Sequence, residues 1–125
     1  MAKVLGIGGV FFKVQDVSAV QDWYRRVLGF EISEWGGVIF PPEGAGSQVW
    51  TPFAADTGYF APSDLPFMIN LRIDDLNGML AQLAKEGVEP LSSEDHGPLG
   101  RFAWIVDPAG VKVELWQPPS ESPAS

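Results

Sequence analysis

The sequence predicts an α+β fold in which one strand–helix–strand unit is used twice. Three observations carry this. FFKVQDVSAVQDWYRRVLGFE, beginning at Phe11, lies in register with NLRIDDLNGMLAQLAKEGVEP, beginning at Asn70, once one residue is dropped near the helix end. Each copy reads strand, aspartate, amphipathic helix, glycine, strand. Turn signals behind each helix then divide the remaining chain into further short strands, so that each half is expected to be a βαβββ module.

Taken in order, the first strand is GIGGVFFKVQD, Gly6 to Asp16, and its counterpart is FMINLRIDD, Phe67 to Asp75. Asp16 and Asp75 are placed to accept from the free N–H groups of a first helical turn. Ala19, Trp23 and Val27 in one helix, and Leu76, Leu80 and Leu83 in the other, recur at helical spacing. In WYRR this puts Trp23 in the core and leaves Arg25 and Arg26 in solvent. Gly29 and Gly87 suit the left-handed position that stops a helix. Strands are expected over 30–35, 37–40 and 47–53 in module one, and over 88–91, 101–107 and 111–117 in module two. The implied organisation is a single domain, 1–117, with module one at 1–53, a connection at 54–66 and module two at 67–117. The tail 118–125, rich in proline and serine, is expected to be disordered. The connection is long for a compact domain, which suggests a lid or binding loop.

At 125 residues, 46% of them hydrophobic, the chain can bury a sizeable core without staples. It has no cysteine, which excludes disulfides and thiolate metal sites and agrees with a cytoplasmic setting. The net charge of −8 repels phosphate backbones and anionic lipid, so neither nucleic acid nor membrane is an expected partner. The apolar stretch 4–12 is read as half of the repeat, not as a signal peptide, and no apolar run reaches membrane-span length.

Strand parity assigns faces. Val111, Val113 and Leu115 alternate with Lys112, Glu114 and Trp116. The aliphatic set must pack on a helix and the second set faces away from it. By the same count Val10, Phe12 and Val14 take the helix side, leaving Ile7, Gly9, Phe11 and Lys13 opposite; Met68, Asn70 and Arg72 occupy that face in the fifth strand. A face so mixed is expected to curl around a ligand.

GVFFKVQDVSAVQDWYRRVLGFE, NLRIDDLNGMLAQLAKEGV and GRFAWIVDPAGVKVELWQP, in that order, resemble the vicinal oxygen chelate superfamily of glyoxalases, bleomycin-resistance proteins and extradiol dioxygenases. The resemblance implies two βαβββ modules forming a U-shaped mixed sheet around a cavity, helices outside, and often a homodimer. It also implies a divalent metal held by a histidine on each first strand and a glutamate on one or both last strands. The histidine positions match Gly9 and Met68. The second-module glutamate matches Glu114; its first-module counterpart is Trp50 when the turns Ala45-Gly46 and Ala109-Gly110 are aligned, or Gln48 after a two-residue slip. One carboxylate does not supply the three or more ligands a site of this kind needs, so no metal or other cofactor is expected.

The chemistry then rests on Glu114, a candidate acid–base group if burial among Trp50, Trp116 and Met68 raises its pKa, and otherwise a solvated or ion-paired relic. His96, the only histidine, sits in a loop expected near the cavity mouth and is the second, weaker catalytic candidate. Gly9, Phe11, Trp50, Tyr59, Phe60, Met68, Asn70, Lys112 and Trp116 are the candidate ligand-binding residues, with Tyr59 and Phe60 covering the pocket from the connection or else packing on themselves. Lys13 and Arg72 are expected at the rim. Three functions follow: a metal-free aromatic cavity that binds a small organic molecule, a glyoxalase-type lyase or isomerase working through Glu114 with or without a metal, or a structural role with no cavity.

Overall fold

In the computed structural model, which describes residues 1–28, 30–40, 48–108 and 110–119, the two halves join into one open, seven-stranded mixed sheet. The elements are β1 (Val4–Val14), α1 (Val17–Leu28), β2 (Val38–Phe40), β3 (Gln48–Ala54), β4 (Phe67–Ile73), α2 (Leu76–Lys85), β5 (Ser92–Asp95), β6 (Arg101–Val106) and β7 (Lys112–Gln117), in sheet order β2-β3-β1-β4-β7-β6-β5. The first strands of the halves meet antiparallel at the centre, where Gly9 faces Asn70 and Phe11 faces Met68. Each first strand pairs in parallel with its own last strand, β1 with β3 and β4 with β7. Those reciprocal pairs make the halves equivalent about the β1–β4 seam. Among the described residues, no helix is long and apolar enough to cross a membrane.

The helix starts follow their aspartates. Asp16 Oδ1 accepts from Ala19 N–H at 3.0 Å, and Asp75 Oδ1 accepts from Gly78 N–H at 3.0 Å. Helix α2 ends in a Schellman turn: Gly87, at φ +76°, donates to Ala84 O, and Val88 donates to Leu83 O. Gly29, Ala45, Gly46, Ala109, the side chains of Arg26 and Val27, and the tail from 120 onward lie outside the described residues.

Three elements depart from expectation. No strand covers 30–35; a tight turn replaces it, in which Ser33 Oγ and N–H both donate to Gly37 O. The first half is therefore βαββ among the described residues, whereas the second is βαβββ. In the second half the strand expected over 88–91 forms later, at Ser92–Asp95. Third, the inward face of α1 is Val17, Val20, Gln21 and Tyr24, each partly buried, so Trp23 lies 46% exposed and Tyr24 takes the inward place.

Each helix covers its own half. Leu76 and Met79 of α2 close over Ile73, Ala103, Val113 and Leu115. Under α1 the contact is aromatic: Tyr24 lies 4.4 Å from Trp50 between ring centroids, with Phe30 at 5.1 Å and Phe12 at 5.9 Å from the same indole. A third cluster, Phe11, Phe60, Met68 and Trp104, sits on the opposite face of the sheet.

Candidate functional site

That opposite face holds a cleft of about 620 Å³. Trp35, Ile39, Thr51 and Phe53 from the first half and Leu99, Phe102, Trp104 and Trp116 from the second line it together, so the sheet curls around it. Rings dominate the walls. Phe102 stacks on Trp104 at 6.0 Å and 10°, and on Trp116 at 6.2 Å and 8°; Phe53 stacks on Tyr59 at 5.4 Å and 3°.

One polar corner interrupts the aromatic wall. Register brings it together: Glu114 on β7 lies opposite Asn70 of β4 on one side and Trp104 of β6 on the other. Glu114 is only 2% exposed, and the Tyr59 hydroxyl donates to its Oε1 at 3.0 Å. Among the described residues, Glu114 Oε2, Asn70 Oδ1 and Trp104 Nε1 are buried without a hydrogen-bond partner. Burial pushes the Glu114 carboxyl above the ordinary carboxylate range, against the opposing pull of Asn70, Tyr59, the Lys112 charge and Trp104. Trp104 thus acts on the carboxylate by proximity, without closing a well-formed hydrogen bond, while the Asn70 side chain acts on it as a hydrogen-bond partner. Tyr59 is pushed up by burial first and by the Glu114 charge second.

Lys112 stands behind this corner. Its Nζ donates to Tyr59 O at 2.5 Å and lies 5.1 Å from the Tyr59 ring centroid and 5.8 Å from that of Trp104. Burial pushes its pKa down, with the Glu114 charge opposing. The ammonium is caged by two rings and does not line the cleft.

Other expected residues are placed differently. Trp50 does not face the cleft. It belongs to the α1-side cluster, and Gln48, two residues away on the same face of β3, is exposed. Phe11 pairs with Thr51 as Asn70 pairs with Glu114, so Thr51 is the first-half counterpart of Glu114. A one-residue shift in β3 reverses every side chain, and the turn Ala45-Gly46 that sets the expected count lies outside the described residues. Phe60 is no lid: it is 0% exposed, in core contact with Phe11, Met68 and Trp104. Met68 is equally buried and lies behind the lining. Gly9 does not open onto the cleft; a Cβ there would stand 2.6 Å from Val49 O. Its neighbour Gly8, in a register irregularity of β1, makes the space instead, because a Cβ at Gly8 would fall 2.1 Å from Asn70 Oδ1. Arg72 is buried at 6% exposure and is not a rim residue, while Lys13 Nζ lies 5.5 Å from the Phe60 ring.

His96 does reach the cleft. Its Nε2 is 2.7 Å from Glu94 Oε1, and its ring meets Phe102 edge-on at 5.3 Å. Phe102 and Trp104 are lining residues that sequence reasoning missed, as are Trp35, Ile39, Thr51, Phe53 and Leu99. The DPAG turn signals a β6–β7 hairpin, but a four-residue loop at 107–110 would set Trp104 opposite Val113; Asp107 N–H instead donates to Val111 O, which places Trp104 opposite Glu114 and Phe102 opposite Trp116.

The positions where the resemblance implies metal ligands hold Gly9, Met68, Thr51 and Glu114, and among the described residues no group of three or more His, Cys, Asp or Glu could hold an ion. Met68 is sealed in an apolar cluster and Glu114 stands beside a lysine, so this donor set does not fit a divalent metal.

Comparison with known proteins agrees with this architecture. The chain is similar in structure to methylmalonyl-CoA epimerase from Mycobacterium tuberculosis, at 21% identity and a TM-score of 0.66, over 98% of this chain and 93% of that one. A variant of the Streptomyces coelicolor methylmalonyl-CoA epimerase, in complex with 2-nitronate-propionyl-CoA, gives 17% identity and 0.70 over 94% and 100%. A superfamily member from Vibrio splendidus 12B01 gives 14% and 0.55 over 94% and 99%. At such identities the likeness is one of fold. No curated protein sequence matches the chain. The family profile matches residues 6–115, nearly the whole sheet and both helices, and the chain belongs to the glyoxalase/bleomycin resistance protein/dioxygenase superfamily.

Proposed function

We propose that this chain is a small-molecule binding protein whose cleft takes an aromatic ligand without a metal, in the manner of the drug-sequestering branch of its superfamily. The carrying observation is the parallel ring ladder Phe102, Trp104 and Trp116 standing over a buried, half-satisfied carboxylate, Glu114. A flat ligand slides along the ladder and is oriented by Glu114, Asn70 and Trp104, while Lys112 holds Tyr59 in place from behind. The test is titration of the purified protein with planar aromatic compounds, read by quenching of tryptophan fluorescence, together with elemental analysis. Saturable quenching lost in Trp116→Ala, with no stoichiometric metal, is the expected result. Stoichiometric metal that disappears in Glu114→Gln would overturn it.

One observation favours a second reading, acid–base turnover on Glu114. Burial raises this carboxyl toward the range in which a group can both take and return a proton, and the Tyr59 hydroxyl is 3.0 Å away. A lyase or isomerase of glyoxalase type would then lose turnover, and not merely affinity, in Glu114→Gln. The reading also includes a cytoplasmic homodimer. Val4, Leu5, Ile7 and Val10 of β1, each about half exposed, are its candidate surface, and sedimentation of Val10→Lys against the parent chain checks it.

A further inference from the structure

We infer that the ligand of this cleft is a planar aromatic cation, whose protonated nitrogen donates to Glu114 Oε2 while its ring lies against Trp104 and Trp116. The inference rests on the binding reading above and narrows it to one charge type.

Four observations lead there. The corner holds two buried acceptor oxygens without partners, Glu114 Oε2 and Asn70 Oδ1, against one such donor, Trp104 Nε1. That donor already bears on the Glu114 carboxylate. What Glu114 Oε2 and Asn70 Oδ1 still lack is a hydrogen-bond donor, and a buried carboxylate oxygen is satisfied best by a charged one. Second, no lysine or arginine lines the cleft among the described residues, so an anionic group inside it would meet rings, a few polar side chains such as Thr51, Asn70 and His96, and a buried carboxylate that repels it. Lys112 does not alter this, because its ammonium is spent on Tyr59 O and two ring faces away from the lining. Third, the ladder Phe102, Trp104 and Trp116 presents electron-rich faces, which attract a cationic ring more strongly than a neutral one. Fourth, the approach is acidic. Glu94, paired with His96 and opposite Phe102 of the ladder, stands on β5 on the cleft side, and the whole chain carries −8.

Three probes of equal ring size separate the charge types near neutral pH: aminoacridine, a planar cation; acridine, its neutral parent; and anthracene carboxylate, a planar anion. Calorimetric titration of the intact chain is expected to show aminoacridine binding about tenfold or more tighter than acridine, the gain of one charge-assisted hydrogen bond, with anthracene carboxylate weakest. In Glu114→Gln, which keeps the shape and removes the charge, the preference for aminoacridine over acridine collapses. Anion binding as tight as cation binding, or a preference that survives Glu114→Gln, overturns the inference and leaves aromatic binding standing. Failure of all three probes to bind overturns both. The comparison of probes on the parent chain decides the matter even if the variant does not fold.

Discussion

Gly8 shows how one missing carbon positions a functional side chain. Because Asn70 Oδ1 occupies the place of a Gly8 Cβ, with Arg72 Cγ at 2.9 Å and Trp116 at 3.1 Å from it, Gly8→Ala must push three cleft-side residues at once. It is expected to cost about 1–3 kcal/mol of stability, the range for overpacking, and to weaken ligand binding alongside, measured by urea denaturation and fluorescence titration. Glu114 makes the second prediction. Its folded pKa is raised, so between the ordinary glutamate pKa and the raised value the folded state holds more proton than the unfolded one. Stability therefore falls as pH rises through that window and levels off above it. Glu114→Gln should erase that fall, giving a flatter profile than the parent in urea denaturation followed across pH. Glu114 was legible in the sequence because its strand alternates cleanly from Val111 to Trp116. Gly9 drew attention for the same motif, but the residue that yields space is Gly8, since an irregular register in β1 is not visible to a count of two.

At the scale of elements, the aspartate caps, the Gly87 stop and the repeat itself were readable, because each is a local device with a fixed spacing. Strand β3 was not. Its register depends on a turn whose alignment had to be assumed, and a shift of one residue sent Trp50 to the helix side and Thr51 to the cleft. The tract 30–35 reads as strand by its phenylalanine, isoleucine and tryptophan, yet Gly36 and Gly37 draw it into a turn closed on Ser33. In α1 the stripe is rotated by one residue, and Tyr24 rather than Trp23 reaches Trp50. A clean separation of roles follows. Trp50→Ala is expected to lose about 2 kcal/mol or more of stability, as removal of a large packed ring does, while leaving affinity for a flat ligand near that of the parent. Trp116→Ala should do the reverse for affinity. Paired measurements of denaturation midpoint and binding constant on both variants check the separation.

For the whole molecule, the halves are joined by the β1–β4 pair, by Ala2 N–H donating to Gln82 Oε1 of α2 and by the cluster of Phe11 with Met68 and Trp104, and the cleft opens between what each contributes. Legibility here was uneven in an instructive way: the doubling was plain in the sequence, while the identity of the walls required knowing which strands pair. The segment between the halves does more than span the distance. It inserts Phe60 into the cluster with Phe11 and Met68, stacks Tyr59 on Phe53 of the first half and bonds it to Glu114 of the second, and ties Ser63 Oγ to Gly110 O at 2.6 Å. Amide exchange would see this stretch as a strut shared by both halves. Occupancy at Glu114 should slow hydrogen–deuterium exchange at the backbone of Tyr59 to Ser63, several residues removed in the chain from any lining strand. Tyr59→Phe should cut that link, so that ligand still slows exchange along β7 but no longer in the segment between the halves.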